Sequence, residues 1–305
     1  MTRWSSLHSL VYLVFSYCFL LSNASAISPA SGNVIGALSV TKITKGETLS
    51  DIARIYNLGY TEIRIANPKI DPWLPQKDAE VLVPDMHLLP SAPKEGIIIN
   101  VPEMRMYRFD KDAPKKINTY PISVGRRDWT TPHGEMVVSG KLESPAWYPP
   151  ASILKEHAEM GDPLPRVVGP GPDNPLGKYA LLLSKTGYLI HGTNKPYGIG
   201  MRVTHGCIRM YPKHIKTVFE KINIGEKVRI INQPIKVGVI NGVALLEAHP
   251  SLTEDAVGLS KRYAMAIETI RQNFENVTLK LSYGILQQTI TDETGVPTAI
   301  GTLTY

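Results

Sequence analysis

The stretch Tyr188–Ile215 reads "YLIHGTNKPYGIGMRVTHGCIRMYPKHI", and the rest of the chain is read outward from it. "YLIH" is a short apolar run that predicts a strand ending at His191-Gly192. Pro212 then opens a helix to Ile222, on which Ile215, Val218, Phe219 and Ile222 share one face. Between them Cys207 is wedged between Gly206 and Ile208, two residues after His205. A thiol in that setting is a small buried apolar residue, a metal ligand or a nucleophile. Upstream, "GIIINV", "RMYRF", "NTYPISVG", "GEMVVSGKL" and "YALLLS" are further strand-like runs separated by Gly, Pro, Asn and Asp turns. Many short strands with one helix near the end predict a mainly β domain over residues 95–231, as a β-sandwich or a partly closed barrel.

The amino terminus bears on where that thiol works. Residues 1–26 read "MTRWSSLHSLVYLVFSYCFLLSNASA", with Arg3, an apolar run from Leu10 to Leu21 and an A-x-A site. This is the layout of a secretory signal peptide, with cleavage expected after Ala26. The apolar run falls short of the roughly 20 residues a membrane span needs, so the mature chain is expected to carry no membrane span. Tyr17 ahead of Cys18 argues against a lipoprotein signal. Cys18 leaves with the signal, and an exported protein with Cys207 as its lone thiol cannot form an internal disulfide.

With 305 residues, 43% of them hydrophobic and 20% charged, the chain can hold more than one domain. A formal net charge of +6 suits anionic partners. The aromatic–basic interleaving of nucleic-acid binders is lacking, so no nucleic acid is expected as a partner.

Two blocks flank the β domain. In residues 38–84, Thr48 and Asp51 mark a helix start, and Leu49, Ile52, Ile55 and Tyr56 recur at helical spacing. A second short helix runs from Thr61 to Asn67, where Pro68 stops it, and a strand is expected at each end, giving the order βααβ. Pro84 to Pro93 reads as a linker. In residues 233–305, a hairpin turns at Asn241-Gly242 and a helix follows from Thr253 to Asn273, predicting an α+β accessory subdomain.

A free thiol has a pKa of about 8.5, so Cys207 needs help to react near neutral pH. His191 and His205 are the candidate bases. From Asn174 to Phe219 there is no Asp or Glu, while Lys178, Lys185, Lys195, Arg202, Arg209, Lys213 and Lys216 surround the cysteine. Such surroundings are expected to lower the thiol pKa and to attract carboxylates. Gly206 allows a tight turn whose N–H, with that of Cys207, is expected to hold an oxyanion. With no carboxylate nearby in sequence, a backbone carbonyl near Gly192 or Thr193 is expected to orient His191. Zinc held by His191, His205, Cys207 and His214 is rejected, because structural sites show tightly paired ligands. His133 in "TPHGEM" reads as a turn residue.

These motifs resemble known families. His191-Gly192, a spacer and Thr204-His205-Gly206-Cys207, together with "PISVGRRDWTTPHGEM" and "PAWYPP", resemble the YkuD catalytic domain of L,D-transpeptidases, in its periplasmic enterobacterial branch. Arg209 stands where many relatives have Asn. "KGETLSDIARIYN", "IANP" and "VLVP" resemble a LysM module. The resemblance implies a YkuD-like β-sandwich preceded by a glycan-binding LysM module, and it places the mature protein in the periplasm.

It also implies that Cys207 is the nucleophile, His191 the base and His205 a supporting residue, with Gly206 at the oxyanion. Arg209, Arg202, Thr204, Gly192 and Thr193 are assigned to substrate. No cofactor is implied. The expected partners are peptidoglycan stem peptides and glycan strands. Acyl transfer to diaminopimelate forms a 3-3 crosslink, and transfer to the terminal Lys of an outer-membrane lipoprotein tethers the envelope. Transfer to water makes the protein an L,D-carboxypeptidase. The resemblance further implies acylation by carbapenems, and the LysM-like block is expected to serve localisation alone. The rival reading is a glycan-binding envelope protein with an inactive second domain.

Overall fold

The computed structural model describes residues 33–111, 113, 116–275 and 277–304. The signal-peptide reading falls outside them. In the N-terminal module, β1 (Val34–Lys42) pairs antiparallel with β2 (Glu80–Leu88), and α1 (Leu49–Ile55) and α2 (Tyr60–Ala66) lie between them in sequence. Thr48 and Asp51 cap α1 reciprocally, with the Asp51 N–H donating to Thr48 Oγ1 at 3.2 Å and the Thr48 N–H to Asp51 Oδ2 at 3.1 Å. Leu49, Ile52, Ile63, Val81 and Val83 bury the shared apolar face. Pro84 lies inside β2 opposite Leu38, so the Pro-rich stretch expected as a linker is in part a strand. A two-stranded ribbon has an open edge on each strand, where a missing N–H is tolerated.

The strands of the next unit are β3 (Gly96–Asn100), β4 (Arg105–Phe109), β5 (Ile117–Gly125), β6 (Gly134–Glu143), β7 (Tyr179–Leu183), β8 (Leu189–His191), β9 (Arg202–Thr204), β10 (Ile208–Met210) and β11 (Lys227–Ile231). Their order is β10-β8-β7-β6-β11-β3-β4-β5-β9, and β10 also pairs with β5. That extra pairing closes eight strands into a ring. The choice between sandwich and barrel therefore resolves to a closed, barrel-like sheet, because the three-residue β10 bonds β8 on one side and β5 on the other. Ile97, Ile99, Val124, Val138, Leu181, Ile190 and Ile208 share its core.

Helix α3 (Ala151–Glu159) precedes β7, and α4 (Pro212–Lys221) follows β10. The sequence reading anticipates α4 but not α3, whose entry follows Pro149-Pro150 and which buries only Ile153. One buried residue leaves no apolar stripe to read.

The C-terminal unit contains β12 (Ile235–Ile240), β13 (Val243–Ala248), α5 (Leu259–Asn273), β14 (Thr278–Leu281), α6 (Tyr283–Asp292) and β15 (Thr298–Thr304). Its sheet order is β12-β13-β15-β14. The hairpin turns at Asn241 and Gly242, both at positive φ (49° and 76°) as a primed two-residue turn requires. α5 begins later than the expected Thr253, because Thr253–Asp255 form a separate 3₁₀ turn. Among the described residues no helix is long and apolar enough to cross a membrane.

The three units meet on a buried ionic cluster. Lys236 on β12 is wholly buried, with Nζ 2.9 Å from Glu103 Oε1, 2.7 Å from Glu247 Oε1 and 2.7 Å from Leu88 O of the N-terminal module. Glu247 also accepts the Leu88 N–H at 2.6 Å. Removing the ammonium leaves two buried carboxylates without their shared cation, the costly way to break a buried pair. Lys236→Met is therefore expected to destabilise the protein by about 3–5 kcal/mol, read as a lowered midpoint in urea denaturation. An unchanged midpoint would contradict this account of the junction.

Candidate active site

Strand register brings the catalytic candidates together. β10 runs parallel to β8 with Ile208 opposite Ile190 and Arg209 opposite His191. Paired residues point to the same face and alternate residues repeat it. Ile190 and Ile208 are buried in the core, so His191, Arg209 and, one residue ahead of β10, Cys207 project from the opposite face. The thiol lies beside β8 as this predicts, with Sγ 3.6 Å from Gly187 O and the Leu189 N–H directed at the sulfur.

His191 is 5% exposed. Its Nδ1 lies 2.7 Å from the Gly192 carbonyl, an acceptor that fixes Nδ1 as the protonated nitrogen and leaves Nε2 as the base. A backbone carbonyl is thus the orienting group, as the lack of a nearby carboxylate leads one to expect. Burial, reinforced by the Arg209 charge, lowers the His191 pKa to about 4, against the opposing pull of the Gly192 and Leu176 carbonyls. The imidazole is neutral at neutral pH. Burial also raises the Cys207 thiol, outweighing the Leu189 N–H and Arg209. This corrects the expectation of a lowered thiol pKa. Basic residues are plentiful in sequence, but Lys178, Arg202 and Lys216 are paired with carboxylates. Lys178 lies 3.7 Å from Glu143, and Lys216 lies 3.9 Å from Glu220.

The loop before Cys207 is closely braced. Thr204 Oγ1 donates to Cys207 O at 2.6 Å and accepts the Gly206 N–H at 3.2 Å. Thr131 Oγ1 donates to Gly206 O at 3.0 Å. Gly206 has φ +98°, and a Cβ there would fall 2.8 Å from Tyr188 Cε1, so only glycine fits.

The other residues expected at the site have neighbours within the protein. Thr204, expected at the substrate, makes its two hydrogen bonds within the loop. The N–H of Gly206, expected at the oxyanion, turns inward to Thr204. Thr193 accepts the Lys195 N–H at 2.9 Å within its own turn. Gly192 abuts α4, where a Cβ would lie 3.2 Å from Ile215 Cγ2. Arg202, assigned to a substrate carboxylate, forms a two-pronged pair with Glu254 at 2.8 and 2.7 Å and donates to Gly125 O at 3.0 Å.

Arg209 is the remaining residue expected at the substrate. No carboxylate pairs with it among the described residues, and its buried Nε has no hydrogen-bond partner.

His205 does not share the face of Cys207, because the left-handed Gly206 breaks the alternation. Its Nε2 lies 2.9 Å from Glu156 Oε2 on α3, and its ring packs edge-on to Trp129 at 5.2 Å. Glu156 also holds Arg126 at 2.5 Å, and these two partners lower its carboxyl pKa to about 2. Sequence reading missed Glu156, since nothing local links it to a histidine 49 residues away. His214 lies apart from the others, packed between the Tyr120 and Tyr211 rings at 5.3 Å from each. His191, His205, Cys207 and His214 are not gathered as ligands. A cleft of about 320 Å³ opens among Tyr60, Arg64, Met104, Arg202 and Leu252, but neither Cys207 nor His191 lines it.

Residues 94–230 match the YkuD L,D-transpeptidase catalytic domain, and residues 41–72 match the LysM domain. The Escherichia coli K12 protein described as probable L,D-transpeptidase YcfS is 34% identical, across 97% of this chain and 94% of its own length. The chain belongs to the L,D-transpeptidase family. Probable L,D-transpeptidase YbiS of the same organism is also 34% identical, over 97% of this transpeptidase and 98% of YbiS. Probable L,D-transpeptidase ErfK/SrfK of Salmonella typhimurium is 35% identical over 78% and 77% of the two chains.

Proposed function

We propose that this L,D-transpeptidase is exported to the periplasm and acts on peptidoglycan tetrapeptide stems through a Cys207 acyl-enzyme. The observation that carries the proposal is the shared face of Cys207, His191 and Arg209, with Nδ1 of His191 tied to Gly192 O and Nε2 left as the base. Sγ attacks the carbonyl carbon at the L-centre of diaminopimelate as Nε2 of His191 takes the thiol proton. The Cys207 N–H is the oxyanion donor, since that of Gly206 is already bound to Thr204. When the intermediate collapses, the C–N bond to terminal D-alanine breaks and His191 returns the proton to the leaving amine. An acceptor amine then attacks the thioester and gives its proton to His191, and the thiol is restored. Arg209 holds positive charge beside the sulfur, favouring the thiolate leaving group, and its guanidinium suits a stem carboxylate.

The LysM match supports binding to the glycan strand. The acceptor is another diaminopimelate, giving a 3-3 crosslink, or the C-terminal lysine of an outer-membrane lipoprotein. Purified tetrapeptide muropeptides incubated with the enzyme, with and without such a lipoprotein, test this by product mass. Loss of D-alanine joined to crosslink or tether formation is expected. Release of D-alanine with addition of water alone would make the protein a carboxypeptidase.

A further inference from the structure

We propose that the N-terminal module is a positioning element of the reaction and not a separable tether, because it fixes both ends of the segment that carries Cys207. This rests on the reading of Cys207 as nucleophile. At the upstream end, α2 docks on the loop leading into β9. The Tyr60 N–H donates to Ile199 O at 2.9 Å, and the Thr61 N–H donates to Gly200 O at 3.1 Å. The two backbones touch here. A Cβ on Gly59 would fall 2.7 Å from Gly200 Cα, and Gly200, at φ +86°, has no room for one either. At the downstream end, Tyr211 directly follows β10, and its buried hydroxyl donates to Leu58 O at 3.3 Å. The Arg54 guanidinium also covers the Tyr197 ring at 5.5 Å, on the 3₁₀ turn Pro196–Gly198.

The module is anchored to the barrel independently of these contacts. Arg105 on β4, wholly buried, reaches both carboxylate oxygens of Glu62 on α2 at 2.8 and 2.6 Å and donates to Asn57 O at 3.2 Å. Asn57 Nδ2 donates to Thr119 O on β5 at 3.1 Å. Residues 199–211, paired along their length with β5 and β8, meet this anchored module at both ends. The strands inside that span, β9 and β10, have three residues each, so the module's contacts at the two ends add to short pairings. A displaced module shifts the attacking sulfur relative to His191, whose own strand, β8, is held by β7.

The mature full-length protein provides the test. Gly59→Ala drives a methyl against Gly200 without strain of its own, since Gly59 has φ −90°. Tyr211→Phe removes only the hydroxyl. Val83→Ala weakens the module's core without touching either contact. For each variant, the rate constant of acylation by a saturating carbapenem is measured beside the carbapenem Kd and the Tm. Gly59→Ala is expected to slow acylation by about tenfold to a hundredfold at unchanged Kd, the scale set by ångström misplacement of a reacting group. Tyr211→Phe is expected to slow it by a smaller factor in the same sense, and carries the test if Gly59→Ala does not fold. Val83→Ala is expected to lower Tm and leave the rate constant as in the wild type. Wild-type acylation rates in both contact variants would overturn the proposal, as would equal slowing by Val83→Ala. An adduct persisting on Cys207→Ala would overturn the nucleophile reading and this proposal with it, and is recognised by the site of label alone.

Discussion

Cys207→Ala is expected to leave no measurable turnover of muropeptides and no covalent intermediate, with the fold retained. The loss is total because acyl transfer through a thioester needs the sulfur, and the hydroxyl of Ser123, paired beside Arg209 on β5, is buried and donates to Gly198 O at 2.6 Å. The structural cost is small. The thiol is half-buried, and its hydrogen-bond contacts are a long one to Gly187 O and the Leu189 N–H directed at the sulfur. Alanine keeps the β-carbon and leaves the Thr204, Thr131 and Gly206 brace untouched. Turnover on tetrapeptide substrate and Tm, measured together, check this. Residual turnover would mean that the chemistry lies elsewhere, and a collapsed Tm would mean that the thiol is a packing residue.

His191→Ala is expected to lower turnover by about a hundredfold to ten-thousandfold, the range of a lost general base. His205→Ala should cost far less, because His205 bonds Glu156 and packs on Trp129 away from the sulfur. The reverse ranking would contradict the base assignment. The pH profile gives a sharper reading. A pKa lowered to about 4 means that His191 is neutral, and able to accept a proton, at every pH above about 4. The thiol is raised, so Cys207 stays protonated through neutrality. The resting pair is thus thiol and imidazole, and the base acts during attack. Turnover should rise through about pH 4 and hold to neutral pH, and iodoacetamide should alkylate resting Cys207 slowly at pH 7. Turnover that falls between pH 4 and 7, with rapid alkylation there, would mean that a preformed thiolate–imidazolium pair does the work.

Features set by near neighbours were legible in the sequence. The Thr48–Asp51 cap, the Asn241-Gly242 turn, α4 and most strands need only local spacing and turn chemistry. The His191 carbonyl partner was legible for the same reason, since Gly192 is the next residue. Closure of the sheet was not, because β9 and β10 have three residues each and carry no alternation that could be distinguished from a loop. The partners of the site charges were also hidden. Arg202 and Arg209 look equivalent in sequence, yet Glu254 arrives from 52 residues away to occupy one of them. The thiol pKa was misjudged because charge can be counted along a chain, whereas the burial that outweighs it cannot. The N-terminal block was read as a tether for a similar reason, since the contact between Gly59 and Gly200 links two glycines that each look like ordinary turn residues.

The central claim is that one sulfur carries the acyl group. Intact-mass spectrometry after incubation with a carbapenem tests it directly on the wild type and on Cys207→Ala. The wild type is expected to gain the full mass of one carbapenem, mapped to Cys207, and Cys207→Ala to gain none. An adduct of the same mass on Cys207→Ala would contradict the account.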